Sequence, residues 1–413
     1  MLGGREHYAV ARALLQSDQL WRMYTDAWRP AIIGGLMGSF NKTRRLAMRH
    51  HPDVPRRYVR ARTWQAVARR MRWNLDTQTN RYDKFLEEGD RFASFVSRDM
   101  LRHLARPGVD PSQLGYFGYT TGARHTLEAL RGSGVLTVID QIDPSKLEED
   151  LVDQERAAYP GWEPAAAPVP DRYWDHSRQE WELADVVLVN SLWSAQALTQ
   201  QGVPAEKIIE VPLVYNPPPR QRPQPVGQRD RLRVLFLGQV NLRKGAHYLM
   251  QAAQRLPGID FQVVGPVLID PARVKEASPN MTFAGPTPRG RVTEAYFDAD
   301  VFVLPTLSDG FALTQLEAMA HALPVVATPN CGRVVEDGVN GRIVAAGDAE
   351  SLAAALDALD ADRAGLRAMS QAALETSGRF GIDGWNDWFF DALENPGSAD
   401  LSQLESPTPS NAP

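Results

Sequence analysis

Short apolar runs alternate with amphipathic stretches through the C-terminal half of the chain. The predicted strands are the apolar runs at 233–237, 261–265, 281–285, 301–304, 325–328 and 341–344. Helical periodicity lies between and after them, at 246–255, 292–297, 313–322 and 349–359. Strands that alternate with helices in this way predict a parallel, doubly wound sheet of the α/β class.

The N-terminal half repeats this pattern less regularly, with buried strands predicted at 135–140, 186–191 and 208–212. A chain of 413 residues is long enough for two domains, each with its own core. The proline- and arginine-rich segment 216–231 is the predicted linker. The predicted organisation is two domains at 1–216 and 217–380, a terminal helix at 381–394 and a disordered tail at 395–413.

The start of the chain lacks the apolar strand with which a doubly wound domain normally opens. Met1-Leu-Gly-Gly leads at once into a helical stretch, 6–15. Either the true start lies upstream of Met1, or the first strand is missing from the sheet. We favour an upstream start, because a sheet without a central strand would lose much of its stability.

The composition narrows the class of protein and its compartment. Hydrophobic residues make up 43% of the chain and charged residues 23%, which is typical of a soluble globular protein. No run of 18 or more apolar residues is present, and the first residues lack the pattern of a signal peptide. The single cysteine, Cys331, excludes an internal disulfide framework. We therefore predict a cytoplasmic protein, and no cysteine–histidine spacing indicates a metal site.

Positive charge is concentrated in the first 110 residues. They hold 21 Lys and Arg against 11 Asp and Glu, although the whole chain has a net charge of -5. This asymmetry predicts an anionic partner for the N-terminal third, either a phosphate-bearing acceptor or an anionic membrane face. No nucleic-acid-binding motif accompanies the arginines, so no nucleic acid is predicted as a partner.

One basic stretch, 58–73, has a helical periodicity that places Trp64, Val67 and Met71 on one face. Its arginines lie elsewhere on the helix: Arg60, Arg62, Arg69, Arg70 and Arg72. Such a basic amphipathic helix is suited to peripheral contact with an anionic bilayer on the inner face of the membrane. The alternative is a helix packed on the core with a solvated arginine face.

Candidate chemistry is concentrated after the strand 301–304, in the run Pro305-Thr-Leu-Ser-Asp-Gly-Phe-Ala-Leu-Thr-Gln-Leu-Glu. A strand that turns sharply into a helix points free backbone N–H groups above the turn, which suits a diphosphate. Asp309 and Glu317 lie eight residues apart there, and carboxylates accept hydrogen bonds from hydroxyl groups. A phosphate site beside a polyol site predicts a nucleotide sugar as ligand.

With the later runs Leu323-Pro-Val-Val-Ala-Thr-Pro-Asn-Cys-Gly and Glu336-Asp-Gly-Val-Asn-Gly, this turn resembles the retaining nucleotide-sugar glycosyltransferases of family 4 (group 1). The E-x7-E signature of that family is matched by Asp309-x7-Glu317. The resemblance implies the GT-B fold, in which two Rossmann-like domains face a cleft. It also implies that the donor binds the C-terminal domain, the acceptor binds the N-terminal domain, and a hexose is transferred with retained anomeric configuration.

By the same resemblance, Glu317 accepts the ribose hydroxyls of the nucleotide, and Asp309 binds hydroxyls of the transferred sugar. The resemblance places four backbone N–H groups near the phosphate, those of Gly310, Phe311, Ala312 and Leu313. Ala312 and Ala322 both stand where the family often has glycine. The chemistry implied is a front-face mechanism, in which the leaving phosphate oxygen takes the acceptor proton without a dedicated protein base.

A second strand-to-helix turn, Gly238-Gln-Val-Asn-Leu-Arg-Lys-Gly, matches the family at Gly238 and Lys244. The resemblance implies that Lys244 reaches the donor diphosphate and stabilises its charge as it leaves, which permits catalysis without a metal. Gln239 replaces the arginine common in the family. Arg243 is then expected either to restore that charge or to point to solvent.

The acceptor side is less well defined. Gly3 and Gly4 match the glycine loop of the family, or else form a linker at the start of the chain. The family histidine is absent from Thr137-Val-Ile-Asp-Gln, where Asp140 or Gln141 is the predicted replacement. His125 is predicted to be a surface residue.

Several alternatives remain open on sequence alone. The chain could be an ordinary Rossmann-like protein with solvated acids, a noncatalytic nucleotide-sugar-binding module, a nucleotide-sugar epimerase, or a glycogen- or sucrose-type enzyme on the same fold. No cofactor is predicted beyond a GDP- or UDP-linked sugar as substrate. The predicted acceptors are lipid-linked saccharides, polysaccharides and small alcohols, as in polysaccharide or glycolipid biosynthesis.

Overall fold

The computed structural model describes residues 8–29, 49–76, 79–215 and 225–395. Gly3, Gly4 and the chain start lie outside these residues, as do most of the predicted linker and nearly all of the predicted tail. The described residues form two α/β domains, each built around a parallel sheet.

The N-terminal domain contains six strands and seven helices in the described part of the chain. They are α1 (Ala9–Gln16), β1 (Met23–Thr25), β2 (Val59–Ala61), α2 (Thr63–Leu75), α3 (Arg81–Leu104), β3 (Gly115–Tyr119), α4 (Arg124–Leu130), β4 (Leu136–Gln141), α5 (Lys146–Ala158), α6 (Asp171–Leu183), β5 (Val186–Val189), α7 (Leu192–Gln200) and β6 (Ile208–Glu210). The main sheet has the order β3-β4-β5-β6, and β1 pairs with β2 separately. All of these pairings are parallel.

The C-terminal domain follows the predicted alternation of strands and helices. Its elements are β7 (Arg233–Leu237), α8 (Ala246–Arg255), β8 (Asp260–Val264), α9 (Pro271–Lys275), β9 (Met281–Gly285), α10 (Arg289–Asp298), β10 (Val301–Leu304), α11 (Thr314–Ala320), β11 (Val325–Ala327), β12 (Gly341–Ile343), α12 (Ala349–Ala361), α13 (Arg363–Ser377) and α14 (Ile382–Glu394). The sheet order is β12-β11-β10-β7-β8-β9. This sheet is doubly wound, because the direction of winding reverses between β7 and β10.

The strands at this reversal are apolar because both faces of the sheet are covered by helices. All four residues of β10 are buried, and so are Val234, Leu235 and Phe236 of β7. A parallel sheet buried on both faces reads as a continuous apolar run, which is why these strands were predictable. Helix α13 was not predicted.

The last helix, α14, belongs to the C-terminal part of the chain but packs against the N-terminal sheet. Trp385 and Phe389 share a core with Val138 of β4, Leu188 of β5 and Ile209 of β6. Asn386 donates a hydrogen bond of 3.0 Å to the carbonyl of Ala13 in α1. The two halves of the chain are therefore joined by a common apolar core as well as by the linker.

Helix α2 differs from the core-packed alternative. Trp64, Met71 and Leu75 are 60%, 64% and 85% exposed. These positions fall on one stripe of a helix, because they are separated by seven and four residues. Val67, the third residue of the predicted apolar face, is half-buried. The core-packed interpretation is therefore wrong for Trp64 and Met71, which face solvent.

Candidate functional site

The two predicted ligand-binding turns lie side by side, because they follow adjacent strands. Strands β7 and β10 are paired in parallel, with Val301 opposite Val234. Ligands of open α/β sheets bind at the carboxyl ends of the strands where the winding direction reverses. At Gly245, φ is +69°, and a Cβ would clash with the carbonyl of Pro305. Glycine therefore lets the turn after β7 approach the turn after β10.

Lys244 and Asp309, one from each turn, form an ion pair across this approach. The side chain of Lys244 is only 11% exposed. Its backbone N–H donates to Asn241 Oδ1 at 2.9 Å, which fixes the end of the first turn. The pKa of Lys244 is lowered to about 7, mainly by burial and in part by the Arg243 charge. The Glu148 charge opposes this effect, because a nearby negative charge favours the ammonium form.

The other oxygen of Asp309 binds the turn itself. Asp309 Oδ1 accepts hydrogen bonds from the N–H groups of Phe311, at 3.3 Å, and Ala312, at 3.1 Å. These two donors belong to the set expected near a phosphate. The Asp309 carboxylate therefore binds the ammonium group of Lys244 and two of the backbone N–H groups that are predicted to bind phosphate. A diphosphate that bound to the same groups would have to displace this carboxylate. The predicted role of Asp309 toward sugar hydroxyls stays a prediction.

Ala312 and Ala322, which stand where the family often has glycine, both have a backbone conformation that favours glycine. Ala312 has φ of +60° and Ala322 has φ of +55°. Both values lie in the left-handed region, which glycine adopts readily and alanine adopts at a cost of about 1–2 kcal/mol. Ala312 therefore strains the donor turn, and Ala322 strains the end of α11.

Glu317 lies in the first turn of α11 and contacts a tyrosine that the sequence did not single out. Tyr296 donates a hydrogen bond of 2.8 Å to Glu317 Oε2. Burial raises the pKa of Tyr296 well above its usual value, and the Glu317 charge adds to this effect. The ring of Tyr296 also stacks on His321, with ring centroids 4.6 Å apart. Tyr296 thus orients Glu317, and its position depends on helix packing that no local motif marks.

Arg243 neither points to solvent nor stands alone. Its Nη1 donates to Glu148 Oε1 at 3.0 Å, and Glu148 Oε2 accepts from Ser308 Oγ at 2.9 Å. Glu148 lies on α5 of the N-terminal domain, so the arginine links the two domains. Burial raises the pKa of Glu148, and the Arg243 charge opposes this effect. The solvent-facing interpretation of Arg243 is wrong in this structure.

The N-terminal domain touches the donor turn directly at Gly310. Ser191 Oγ donates to the carbonyl of Gly310 at 2.5 Å, and Trp193 Nε1 donates to Ser308 Oγ at 2.9 Å. A Cβ at Gly310 would clash with the carbonyl of Ile142. Only glycine allows this close approach, so Gly310 joins the domains rather than simply shaping a turn.

A cavity of about 190 Å³ opens on the N-terminal side of this contact. Its walls include Thr120 and Thr121 after β3, Gln141 and Asp143 after β4, and Glu148. Gln141 is held in place, since its Nε2 donates to Asp143 Oδ1 at 2.7 Å and its Oε1 accepts from Trp181 Nε1 at 3.1 Å. The cavity is a candidate acceptor site beside the donor turns.

The other residues named from the sequence, on the acceptor and donor sides, lie in different places. Asp140 is buried at the end of β4, with 2% of its surface exposed, and is not among the residues that line the cavity. His125 is half-buried and hydrogen-bonds Glu128 at 2.9 Å. Gln239 is exposed, whereas the N–H of Gly238 donates to the carbonyl of Val264 at 2.9 Å.

Glu180 is a further residue that the sequence did not indicate. It is fully buried on α6 and accepts hydrogen bonds from the N–H groups of Thr121 at 2.6 Å, Ala123 at 2.8 Å and Arg124 at 2.9 Å. These bonds hold the loop that lines the acceptor cavity. The sequence around Glu180 does not indicate that this glutamate holds a loop, because the residues it binds lie more than fifty positions away.

Cys331 is an internal structural residue. Its Sγ donates to the carbonyl of Thr328 at 3.2 Å, and Gln315 Nε2 lies 3.3 Å from it. Burial raises the pKa of the Cys331 thiol to about 12. The thiol is therefore neutral at physiological pH and is not a nucleophile.

The fold and the two paired turns are those expected of a glycosyltransferase, and a match to a known protein family agrees with that class. Residues 231–362, which include Lys244, Asp309 and Glu317, match the family described as glycosyl transferases group 1. The match covers most of the C-terminal domain. A D-inositol 3-phosphate glycosyltransferase from Mycobacterium marinum is 30% identical over 194 residues, 42% of this chain and 41% of that protein. The match thus spans about two-fifths of that relative.

Solved structures confirm the predicted GT-B fold over nearly the whole chain. Sucrose-phosphate synthase from Thermosynechococcus elongatus superposes with a TM-score of 0.62 at 19% identity, covering 95% of this chain and 93% of that one. Anabaena HepE in complex with UDP gives 0.58 at 17% identity, covering 95% and 96%. At these identities the likeness establishes the fold alone.

Proposed function

We propose that this protein is a glycosyltransferase that moves a hexose from a nucleotide sugar to a hydroxyl acceptor, with retention of anomeric configuration and without a metal. The observation that carries the proposal is the Lys244–Asp309 pair between two turns at the winding reversal, with Glu317 in the first turn of the helix that follows Asp309. A cation and two acids at such a place fit a diphosphate that carries sugars on both sides.

The donor would bind by replacing Asp309 at the turn. Protonated Lys244 would transfer its ion pair from the carboxylate to the diphosphate, and the N–H groups of Phe311 and Ala312 would become free for phosphate oxygens. Asp309, once released, would be available to the hydroxyls of the hexose, while Glu317 would accept the ribose hydroxyls. Anabaena HepE is solved with UDP and with UDP-glucose, which makes a UDP-sugar the first donor to test.

The transfer step needs no protein base in this proposal. The acceptor oxygen attacks the anomeric carbon from the face that the diphosphate leaves, so the new C–O bond forms as the old one breaks. The acceptor proton passes to the departing phosphate oxygen. Lys244 stabilises the negative charge that develops on that group, a type of contribution worth about 10²–10³ in rate in other enzymes.

Membrane contact belongs to the proposal because the acceptor could be lipid-linked. Trp64, Met71 and Leu75 form an exposed apolar stripe on α2, with arginines on the same helix. Such a helix binds in the plane of an anionic bilayer. In the described parts of the chain, no helix is both long and apolar enough to cross a membrane.

The decisive test compares two site variants with two matched controls. Lys244→Ala and Glu317→Gln should each lower transfer at least about 100-fold, because the first removes the cation at the diphosphate and the second removes the charge that strengthens the hydrogen bonds from the ribose hydroxyls. Lys275→Ala and Glu294→Gln change the same residue types at exposed positions and should stay close to the wild-type rate. Donors are first ranked by thermal shift with UDP- and GDP-sugars. Unchanged turnover in a folded Lys244 or Glu317 variant would refute the donor site.

The same assay separates the alternatives. A donor that binds but is never transferred or hydrolysed would indicate a noncatalytic nucleotide-sugar-binding module. A changed sugar that remains attached to its nucleotide would indicate an epimerase. Acceptor screening distinguishes glycogen- or sucrose-type activity from transfer to lipid-linked saccharides.

A further inference from the structure

A second and larger cavity, of about 590 Å³, lies in the N-terminal domain between helices α2 and α3. Five of the residues that line it are arginines: Arg62, Arg69, Arg72, Arg91 and Arg98. None of the residues of the donor turns or of the acceptor cavity contributes to its walls. The donor chemistry therefore leaves this cluster unexplained.

The carboxylates at this cavity do not neutralise the arginines. Asp26 and Asp90 also line it, but Asp26 pairs with Arg49, and Asp90 pairs with Arg124 at 2.6 Å. The other acids nearby are Glu88, which binds Arg69 through two hydrogen bonds of 2.8 and 2.6 Å, and Glu87, which pairs with Arg91. Two of the five arginines are thus compensated.

Arg62, Arg72 and Arg98 have no carboxylate partner among the residues that the structure describes. Arg62 is held over the ring of Phe95 at 4.5 Å, and Arg98 Nε donates to the carbonyl of Ser94 at 2.8 Å. These contacts orient two guanidinium groups and leave their remaining N–H donors free. Planar guanidinium groups bind phosphate through paired hydrogen bonds, and stacking on an aromatic ring reduces the entropy lost on binding.

We propose that this arginine pocket, defined by Arg62, Arg69, Arg72, Arg91 and Arg98, is a binding site for a phosphate-bearing group. The group can belong to a lipid headgroup or to a soluble phosphorylated molecule, since the recognition chemistry is the same. The site is separate from the donor turns.

The pocket is connected to the acceptor cavity through α3 and the loop that follows β3. Gly89 of α3 packs so closely on Thr121 that a Cβ would clash with its carbonyl. Thr121 lines the acceptor cavity, and Asp90, the next residue of α3, lines the arginine pocket. His125, near the start of α4, also lines the arginine pocket. Adjacent residues of α3, Gly89 and Asp90, thus contact the loop of the acceptor cavity and the wall of the arginine pocket.

The test measures binding and needs no turnover. Inorganic pyrophosphate is titrated calorimetrically into full-length Lys244→Ala protein, so that the donor turns do not contribute. In that background, the pocket variant Arg62→Gln/Arg72→Gln/Arg98→Gln is compared with Arg70→Gln/Arg102→Gln/Arg106→Gln. The control removes the same charge from exposed arginines of the same region that do not line the pocket. The pocket variant should bind at least about tenfold more weakly, and the control within about twofold.

A second arm uses sedimentation with vesicles of phosphatidylcholine alone or with 30% phosphatidylglycerol. Loss of binding in the pocket variant alone supports the proposal, with vesicles identifying a lipid headgroup and pyrophosphate identifying a soluble phosphate. Equal weakening in both triple variants would overturn it, because general electrostatic attraction would then suffice. Failure of the Lys244→Ala protein to bind either probe would also overturn it. If the triple variant does not fold, Arg72→Glu replaces it.

Discussion

The two sheets of this protein differ in how their strands are ordered, and the proposed donor site and the candidate acceptor site each lie on one of them. In the C-terminal sheet the winding reverses between β7 and β10, which leaves two turns facing each other. The described main sheet of the N-terminal domain runs in simple sequence order, β3 to β6. There the loop after β3, which lines the candidate acceptor cavity, is held by the buried side chain of Glu180 and not by a reversal of the sheet.

In the proposed donor site, backbone topology brings the side chains of Lys244 and Asp309 together, whereas the loop of the candidate acceptor site is held by one side chain, Glu180. Backbone topology follows from strand order and is readable from apolar runs. Long-range side-chain contacts are not readable in this way. Four predictions test that division.

The largest expected effect comes from Glu180→Ala. It removes a buried carboxylate that accepts three backbone N–H groups, so we expect the free energy of unfolding to fall by roughly 3–5 kcal/mol. Glu182→Ala, an exposed acid on the same helix, should change it by less than about 0.5 kcal/mol. Urea denaturation measures both. Similar small changes for the two variants would show that the acceptor loop does not depend on Glu180.

Gly310→Ala tests the contact between the two regions. The added Cβ meets the Ile142 carbonyl, so the domains should separate, and turnover should fall at least about tenfold because the reacting groups are misplaced. Gly258→Ala, where a Cβ meets nothing within 4 Å, is the matched control. Small-angle scattering reports the separation directly. An unchanged scattering profile and rate would mean that this close approach is not needed.

The pH dependence of donor binding tests whether the charge of Lys244 contributes to the proposed donor site. Burial lowers the pKa of Lys244 to about 7. The ammonium form that attracts a diphosphate is present below this pKa and is lost as pH rises through it, so affinity should fall between pH 7 and 9, by at most about tenfold per unit. In Lys244→Arg the charge persists, and the fall should disappear. Calorimetric titration with the donor at each pH is the measurement; a flat profile in the wild type would contradict the assignment.

The smallest effect is expected at the two left-handed alanines. Ala312→Gly and Ala322→Gly should each stabilise the protein by up to about 1 kcal/mol, because relief of strain exceeds the entropy that glycine adds to the unfolded chain. Ala358→Gly, at an exposed position inside α12, should destabilise it by about 1 kcal/mol. Thermal and urea unfolding measure all three. Destabilisation at 312 and 322 would show that these turns are not strained.

The C-terminal sheet could be predicted from sequence because its strands are buried on both faces. The strand order that brings Lys244 next to Asp309 was not predicted, and only the family resemblance placed both residues at one donor. The partner of Arg243 could not be predicted, because Glu148 comes from the other domain. Tyr296 was missed for a similar reason, as its contact with Glu317 depends on how α10 packs. Whether the apolar stripe of α2 is exposed or packed on the core could not be decided from the sequence either. Periodicity shows that a helix has an apolar face but does not show what covers that face.

The most direct test of the central claim is a crystal structure of the protein with UDP, or with GDP if that nucleotide gives the larger thermal shift. We predict Lys244 Nζ at about 3 Å from a diphosphate oxygen, Asp309 displaced from the turn, and Glu317 hydrogen-bonded to the ribose. A nucleotide bound elsewhere, with Lys244 still paired to Asp309, would contradict the account.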